Sequence, residues 1–252
     1  MSVTDVTNVV SLVSMSALLL SILIRLRPKS ASAYAPLFWT QISIIVLLFL
    51  SLSWVYPVVD MALGGRNFLN LVSHLIFLGA SWVYTTVLAE PFYRGRAKPV
   101  TLRSWVPAVA AIGAAISFVL LDPEVTSRGL EGFTSEPAWI GYWVFNIMTL
   151  WVPALTLVPQ LLRAVKYTRN KALIMAYWAM IIGYSTSVLA MLGYVVTYFY
   201  PGLIIVRELL VLITQLGLIT ALVAIPVSPH QHSAERSARY QAEAKAAARF
   251  HR

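Results

Sequence analysis

The sequence predicts an all-α polytopic membrane protein: a seven-transmembrane-helix bundle with its N-terminus outside and its C-terminus cytoplasmic. Three observations carry this. Hydrophobic residues make up 59% of the 252-residue chain and charged residues 12%, with a mean hydropathy of +0.75. A soluble domain carries roughly twice that charge and could not bury so much apolar surface in one core. Seven apolar runs approach the ~20 residues that a helix needs to cross a bilayer. Finally, the basic residues crowd onto alternate connections between those runs.

The runs lie at about 4–24, 35–56, 67–89, 104–121, 138–161, 172–199 and 203–226, within a transmembrane domain spanning 1–229. The residues up to Ser16 include Asp5 but no Lys or Arg, so the first run lacks the basic flank of a cleaved signal and reads as a retained helix. Arg25-Leu26-Arg27-Pro28-Lys29 separates the first two runs, and Gly64-Gly65-Arg66 precedes the third. Arg94-Gly95-Arg96 closes the third, and a polar stretch over 122–137 follows the fourth. Arg169-Asn170-Lys171 and Tyr200-Pro201-Gly202 bound the sixth. None of these runs alternates as a barrel strand would, and open strands leave backbone groups unpaired in lipid.

Sixteen of the 19 Lys and Arg residues fall on one side: the connections at 25–29, 94–103 and 163–171, and the tail. Only Arg66, Arg128 and Arg207 fall on the other. Positive residues stay in the cytoplasm, so an odd number of spans places the N-terminus outside. The net charge of +9 is therefore a topology signal, and no nucleic-acid partner is expected. Trp39, Trp54, Trp105, Trp139 and Tyr200 stand near span ends, where interface anchors belong. The basic tail, 230–252, suits contact with anionic lipid headgroups. Gly183-Tyr184 and Gly193-Tyr194 echo each other, but a ten-residue interval does not keep them on one helix face.

The stretch Pro57-Val58-Val59-Asp60, then Gly64-Gly65-Arg66-Asn67-Phe68-Leu69-Asn70-Leu71 and His74, resembles a segment of an actinobacterial family of seven-helix integral membrane proteins often labelled transporters. The basic loop from Arg163 to Lys171 and the long sixth run are similar to that family too, although its members carry a longer cytoplasmic C-terminal region. The resemblance implies a multi-pass protein of the bacterial plasma membrane and raises transport among the functions.

Asn67, Asn70, His74, Ser81 and Thr85 stand at offsets 0, 3, 7, 14 and 18, one face of the third helix. Polar groups in hydrocarbon turn toward the bundle or toward water, so this face is expected to point inward. His74 can accept or pass a proton there; the structural alternative is hydrogen bonding between helices. Arg207 and Glu208 open the seventh helix, Arg207 sharing a face with Thr214 and Glu208 with Gln215. Arg207 is long enough to snorkel to the headgroups. Glu208 is not, and calls for Arg207, Arg66 or His74 as partner. In the fifth run, Pro153 and Pro159 free the carbonyls of Thr149 and Leu155. Asn146 and Thr149 lie beside them, the arrangement with which broken helices build binding sites. Ala110/Ala114, Ala111/Ala115 and Gly113/Ser117 suit close helix packing. The candidate substrate-binding residues are thus His74, Glu208, Arg207, Asn70, Asn146, Thr149 and Gln215.

Several chemistries are excluded. The five lysines, Lys29, Lys98, Lys166, Lys171 and Lys245, all lie in loops or the tail, so no retinal Schiff base can form within the membrane. The chain has no cysteine, which removes disulfides, thiolate metal sites and a cysteine nucleophile. His230 and His232 in the tail have no further ligand types alongside, so neither metal nor cofactor is expected. No phosphate loop or dinucleotide fingerprint occurs, and an enzyme is disfavoured. A transporter of a small solute or ion is the leading expectation. The alternative is a non-enzymatic receptor, sensor or assembly subunit acting through a separate membrane or cytoplasmic partner chain.

Overall fold

The computed structural model describes residues 3–25, 35–93, 97–124, 126 and 128–224. The tail, with His230 and His232, and the basic clusters at 27–29 and 94–96 lie outside the described residues. Nine α-helices follow in order among the described residues: α1 (Val3–Arg25), α2 (Ala35–Leu50), α3 (Tyr56–Ala62), α4 (Phe68–Tyr93), α5 (Trp105–Leu121), α6 (Pro137–Asn146), α7 (Met148–Tyr167), α8 (Lys171–Phe199) and α9 (Ile204–Ala224). The regular elements between them are short 3-10 turns. Windows within α1, α4, α7, α8 and α9 are long and apolar enough to cross a membrane, the make-up of an integral membrane protein. The apolar α2 and α5 are shorter, at 16 and 17 residues.

Large apolar side chains stand exposed along these helices, among them Leu20, Leu23, Ile112, Val119, Leu155 and Leu192. Water would not tolerate so continuous an apolar exterior, and lipid contact accounts for it. Beneath it, α4, α7, α8 and α9 enclose the main core of Tyr84, Leu157, Leu161, Met180, Tyr184 and Leu222. A second core, with Phe118, Trp139, Tyr142 and Tyr194, sits where α5 and α6 meet α8. The closest pair is α8 with α9, because Gly217 has no side chain: a methyl there would lie 2.8 Å from the Ala179 carbonyl oxygen and 2.9 Å from the Gly183 nitrogen. Ala110, Gly113, Ala114 and Ser117 of α5 are buried, while Ala111 and Ala115 are only half-buried.

Two polar staples tie helix ends together. Asn8 of α1 donates to the Ser53 hydroxyl at 2.7 Å and accepts from the Ser53 amide at 3.1 Å. At the other end of α1, Gln41 of α2 donates to the Ser21 hydroxyl at 3.0 Å and the Leu222 carbonyl at 3.2 Å.

The expected helix boundaries need two corrections and the expected interface anchors one. The second run is not helical through 56: α2 stops at Leu50, turns follow, and α3 begins at Tyr56 with Pro57 in its first turn. Proline fits there because first-turn amides need no helical acceptor. The fifth run is two helices, interrupted at Ile147, where φ is −96° and ψ 5°. Pro153 and Pro159 both lie inside the continuous α7, so neither proline makes the break. Trp151 Nε1 donates across it to the Val144 carbonyl at 3.1 Å. Trp139 is no interface anchor: it is 2% exposed, whereas Trp39 is 64% exposed and Tyr200 is exposed as well.

Candidate functional site

The segment that carries the family resemblance builds the entrance to α4. Asp60 is fully buried. Its carboxylate accepts from the Asn67 amide at 3.1 Å, the Leu69 amide at 3.0 Å and the Thr126 hydroxyl at 2.8 Å. An anion bonded to free amides at a helix N-terminus satisfies orphan donors and complements the helix dipole. The chain wraps around it through left-handed backbone at Gly64 (φ 107°), Gly65 (φ 67°) and Asn67 (φ 56°). Tyr56 donates to Asn67 Oδ1 at 3.0 Å. Asn67 therefore precedes α4 and belongs to this cap, not to the helix face expected from its spacing. Asp60 enters the sequence reading only within the resemblance segment and not among the candidate site residues, because it caps α4 from inside α3, eight residues before Phe68.

Beyond the cap, Asn70, Ser81 and Thr85 are buried on α4 and His74 is half-buried. His74 Nδ1 lies 2.7 Å from the Asn70 carbonyl oxygen and 2.9 Å from the Tyr142 hydroxyl of α6. A carbonyl only accepts, so the neutral ring carries its proton on Nδ1 and leaves Nε2 as an acceptor. The imidazole also meets the rings of Tyr142 and Trp143 edge-on, at centroid distances of 5.3 and 4.9 Å. Asn146 lies one turn along α6, its side chain close enough to the Tyr142 hydroxyl to interact with it but short of hydrogen-bond geometry. Both of its amide atoms are buried without a hydrogen-bond partner among the described residues, immediately before the break at Ile147.

Arg207 and Glu208 join this cluster from α9. Adjacent positions on a helix diverge by about 100°, but the long arginine folds back: its Nε donates to Glu208 Oε1 at 3.1 Å, and Nη2 reaches the same oxygen. Arg207 is 4% exposed and Glu208 40%. Arg207 thus turns into the protein instead of snorkelling outward. Its guanidinium carbon stands 5.1 Å from the Trp139 ring centroid and 5.0 Å from that of Tyr194. Tyr194 in turn stacks on Trp143 at 4.8 Å and 6°. Rings from α4, α6 and α8 therefore run without interruption from His74 to the cation. Tyr184 and Tyr194 are both buried despite their different faces, because α8 packs against α6 and α7 as well as α9.

Deeper along α4, Ser81 and Thr149 hydroxyls meet at 2.6 Å, and Thr85 and Tyr184 hydroxyls at 2.8 Å. Thr85 also reaches the Thr149 carbonyl, at 3.4 Å.

Of the seven candidates, the structure sets His74 and Asn146 beside Tyr142, with the Asn70 carbonyl against His74. It pairs Arg207 with Glu208 and sets Thr149 in the deeper layer. Gln215 is exposed and stands apart from them, so the face it was expected to share with Glu208 does not enter the cluster. Arg207's expected neighbour Thr214 is buried but bonds to Thr186 at 2.9 Å. The aromatic members were not anticipated. Trp139, Tyr142, Trp143 and Asn146 stand at offsets 0, 3, 4 and 7, a helix face that the sequence displays. No protein-family model, curated protein or solved structure matches this chain.

Proposed function

We propose that this chain is a seven-span protein of the bacterial plasma membrane that passes a small solute or ion through its interior. In this reading α1, α2, α4, α5, α6–α7, α8 and α9 are the crossings, with α6 and α7 forming one interrupted span. The staples support the alternation. Asn8 meets the end of α2, Asp60 meets Thr126 beyond α5, and Gln41 meets the opposite ends of α1 and α9. The distribution of Lys and Arg supports an outer N-terminus and a cytoplasmic tail, which would lie against anionic headgroups.

One observation carries the transport reading: buried polar groups run along α4 from Asn70 to Thr85, and Asn146, one turn past the Tyr142 that meets His74, ends a broken helix with neither amide atom at hydrogen-bond geometry among the described residues. An unsatisfied amide in hydrocarbon is costly, and interrupted spans supply binding groups in transporters. The absence of cysteine makes the test clean. The single variants Asn146→Cys, Ser81→Cys and Thr85→Cys are treated with a membrane-impermeant methanethiosulfonate added to one side of oriented vesicles. Transport predicts that the Asn146→Cys thiol reacts from outside and that the two deeper thiols react from both sides. Inertness of all three variants from either side rejects a hydrated path.

The packed layer of Leu157, Leu161 and Met180 beyond Tyr184 favours a second reading, a receptor or assembly subunit with an outward-opening site only. Reaction of Asn146→Cys from outside, with none from the cytoplasmic side under any condition and a partner chain co-purifying, would select it. Neither reading assigns the chain bond-making chemistry.

A further inference from the structure

Among the described residues, the polar atoms left unpaired on Arg207 and its neighbouring indoles are donors. They are Arg207 Nη1 and the indole nitrogens of Trp139, against the guanidinium, and of Trp143, one ring further on. Packed protein rarely leaves such groups unsatisfied, and a cluster biased toward donors calls for a ligand rich in acceptors. Glu208 engages Nε and Nη2 of the guanidinium and leaves Nη1 idle, so one edge of the charge is taken and another is open. The surrounding walls are the rings of Trp139, Trp143 and Tyr194.

We infer that the Arg207 cage is a binding site for a small organic carboxylate with a flat or apolar body, whose carboxylate takes the open edge of Arg207 while its body lies among the rings of Trp139, Trp143 and Tyr194. This deepens the solute site proposed above and rests on it. A cation is the wrong charge, because the guanidinium already occupies the space between Trp139 and Tyr194. Glu208 is then a competitor: it neutralises Arg207 when the site is empty, and its exposure lets it swing aside when a second carboxylate arrives. Two carboxylates on one guanidinium repel, so the occupant binds better the less charge Glu208 brings.

That competition yields opposite signs for neighbouring substitutions. Equilibrium binding of radiolabelled benzoate to the full chain in lipid nanodiscs is the measurement, with neutral benzamide and cationic benzamidine as comparators. Benzoate is expected to bind saturably, Glu208→Gln to tighten it at least tenfold, and Arg207→Gln to abolish it. Trp139→Phe keeps the ring, removes the N–H and should weaken binding severalfold. Should Arg207→Gln fail to fold, Glu208→Gln and Trp139→Phe decide the matter. No saturable benzoate binding by either the native chain or Glu208→Gln overturns the proposal. So does benzamide or benzamidine binding as tightly as benzoate, or weaker benzoate binding after Glu208→Gln. A carboxylate site without a hydrated path would point to a receptor. A hydrated path without carboxylate binding would leave the transport reading standing and remove this one.

Discussion

Thr85 donates to the Thr149 carbonyl, the group that Pro153 deprives of its helical N–H partner, so the proline inside α7 is answered by a hydroxyl from α4. The same Thr85 oxygen meets the Tyr184 hydroxyl at 2.8 Å, which ties three helices through one side chain. This explains why α7 runs on through a proline: the missing bond is replaced from a neighbouring helix.

Thr85→Val keeps the shape and removes the hydroxyl, leaving the carbonyl and Tyr184 short of a partner. It should cost about 1 kcal/mol of stability, in line with hydrogen bonds between membrane helices. Thr85→Ser should restore most of that. Pro153→Ala returns an N–H to Thr149, so Thr85→Val should cost less in that background. Unfolding in detergent of the single and double variants measures the coupling, and strictly additive losses would break the proposed link.

Asp60→Ala removes an acceptor of three hydrogen bonds from a fully buried site. A loss of about 2–4 kcal/mol is expected, because each donor is stranded in a protein interior. Asp60→Asn retains one acceptor oxygen but no charge, and should fall between. Hydrogen exchange at the amides of Asn67 and Leu69 reports the cap directly. Protection there must drop more than in α8 for the assignment to hold.

These two cases show what the sequence discloses. Hydropathy marks where the apolar helices lie, because lipid imposes a length and a composition that every run must meet. Breaks inside a run are harder, since α2 ends at Leu50 with only Ser51 and Ser53 to mark it within an apolar stretch and Ile147 carries no break signal of its own. The prolines in α7 point to the wrong place, because their effect depends on Thr85, 68 residues before Pro153. Spacing picks out the buried face of α4 from Asn70 onward, but not the fate of Asn67, which a left-handed backbone diverts into the Asp60 cap. Proximity to a span end marks Trp139 as an interface residue, and only the tertiary fold reveals Arg207 across its ring.

Gly217→Ala tests the closest helix crossing. A methyl at 2.8 Å from one backbone oxygen and 2.9 Å from a backbone nitrogen has no flexible neighbour to push aside, so α8 and α9 must separate. Overpacking of this kind costs about 1–3 kcal/mol. Gly64→Ala also adds a single methyl, with nothing within 4 Å of it, but at a φ of 107°. Its loss is a backbone effect confined to the α4 cap, so hydrogen exchange should separate the two, with α8 and α9 loosened only by Gly217→Ala.

Asn146→Leu separates a structural amide from a functional one. An asparagine placed for stability would be well bonded, and its removal would weaken the protein; here both amide atoms are buried and neither reaches hydrogen-bond geometry among the described residues, although Tyr142 stands close by. Leucine has similar bulk and no polar atoms to strand, so stability in detergent should hold or rise by about 1 kcal/mol. If that amide serves a passing or bound solute, the same variant should lose transport or ligand binding. A stabilised but inactive protein is therefore the expected outcome, measured by thermal unfolding alongside solute uptake into proteoliposomes. A destabilised variant with uptake intact would instead make Asn146 a packing residue, and the break at Ile147 would lose its role in the solute path.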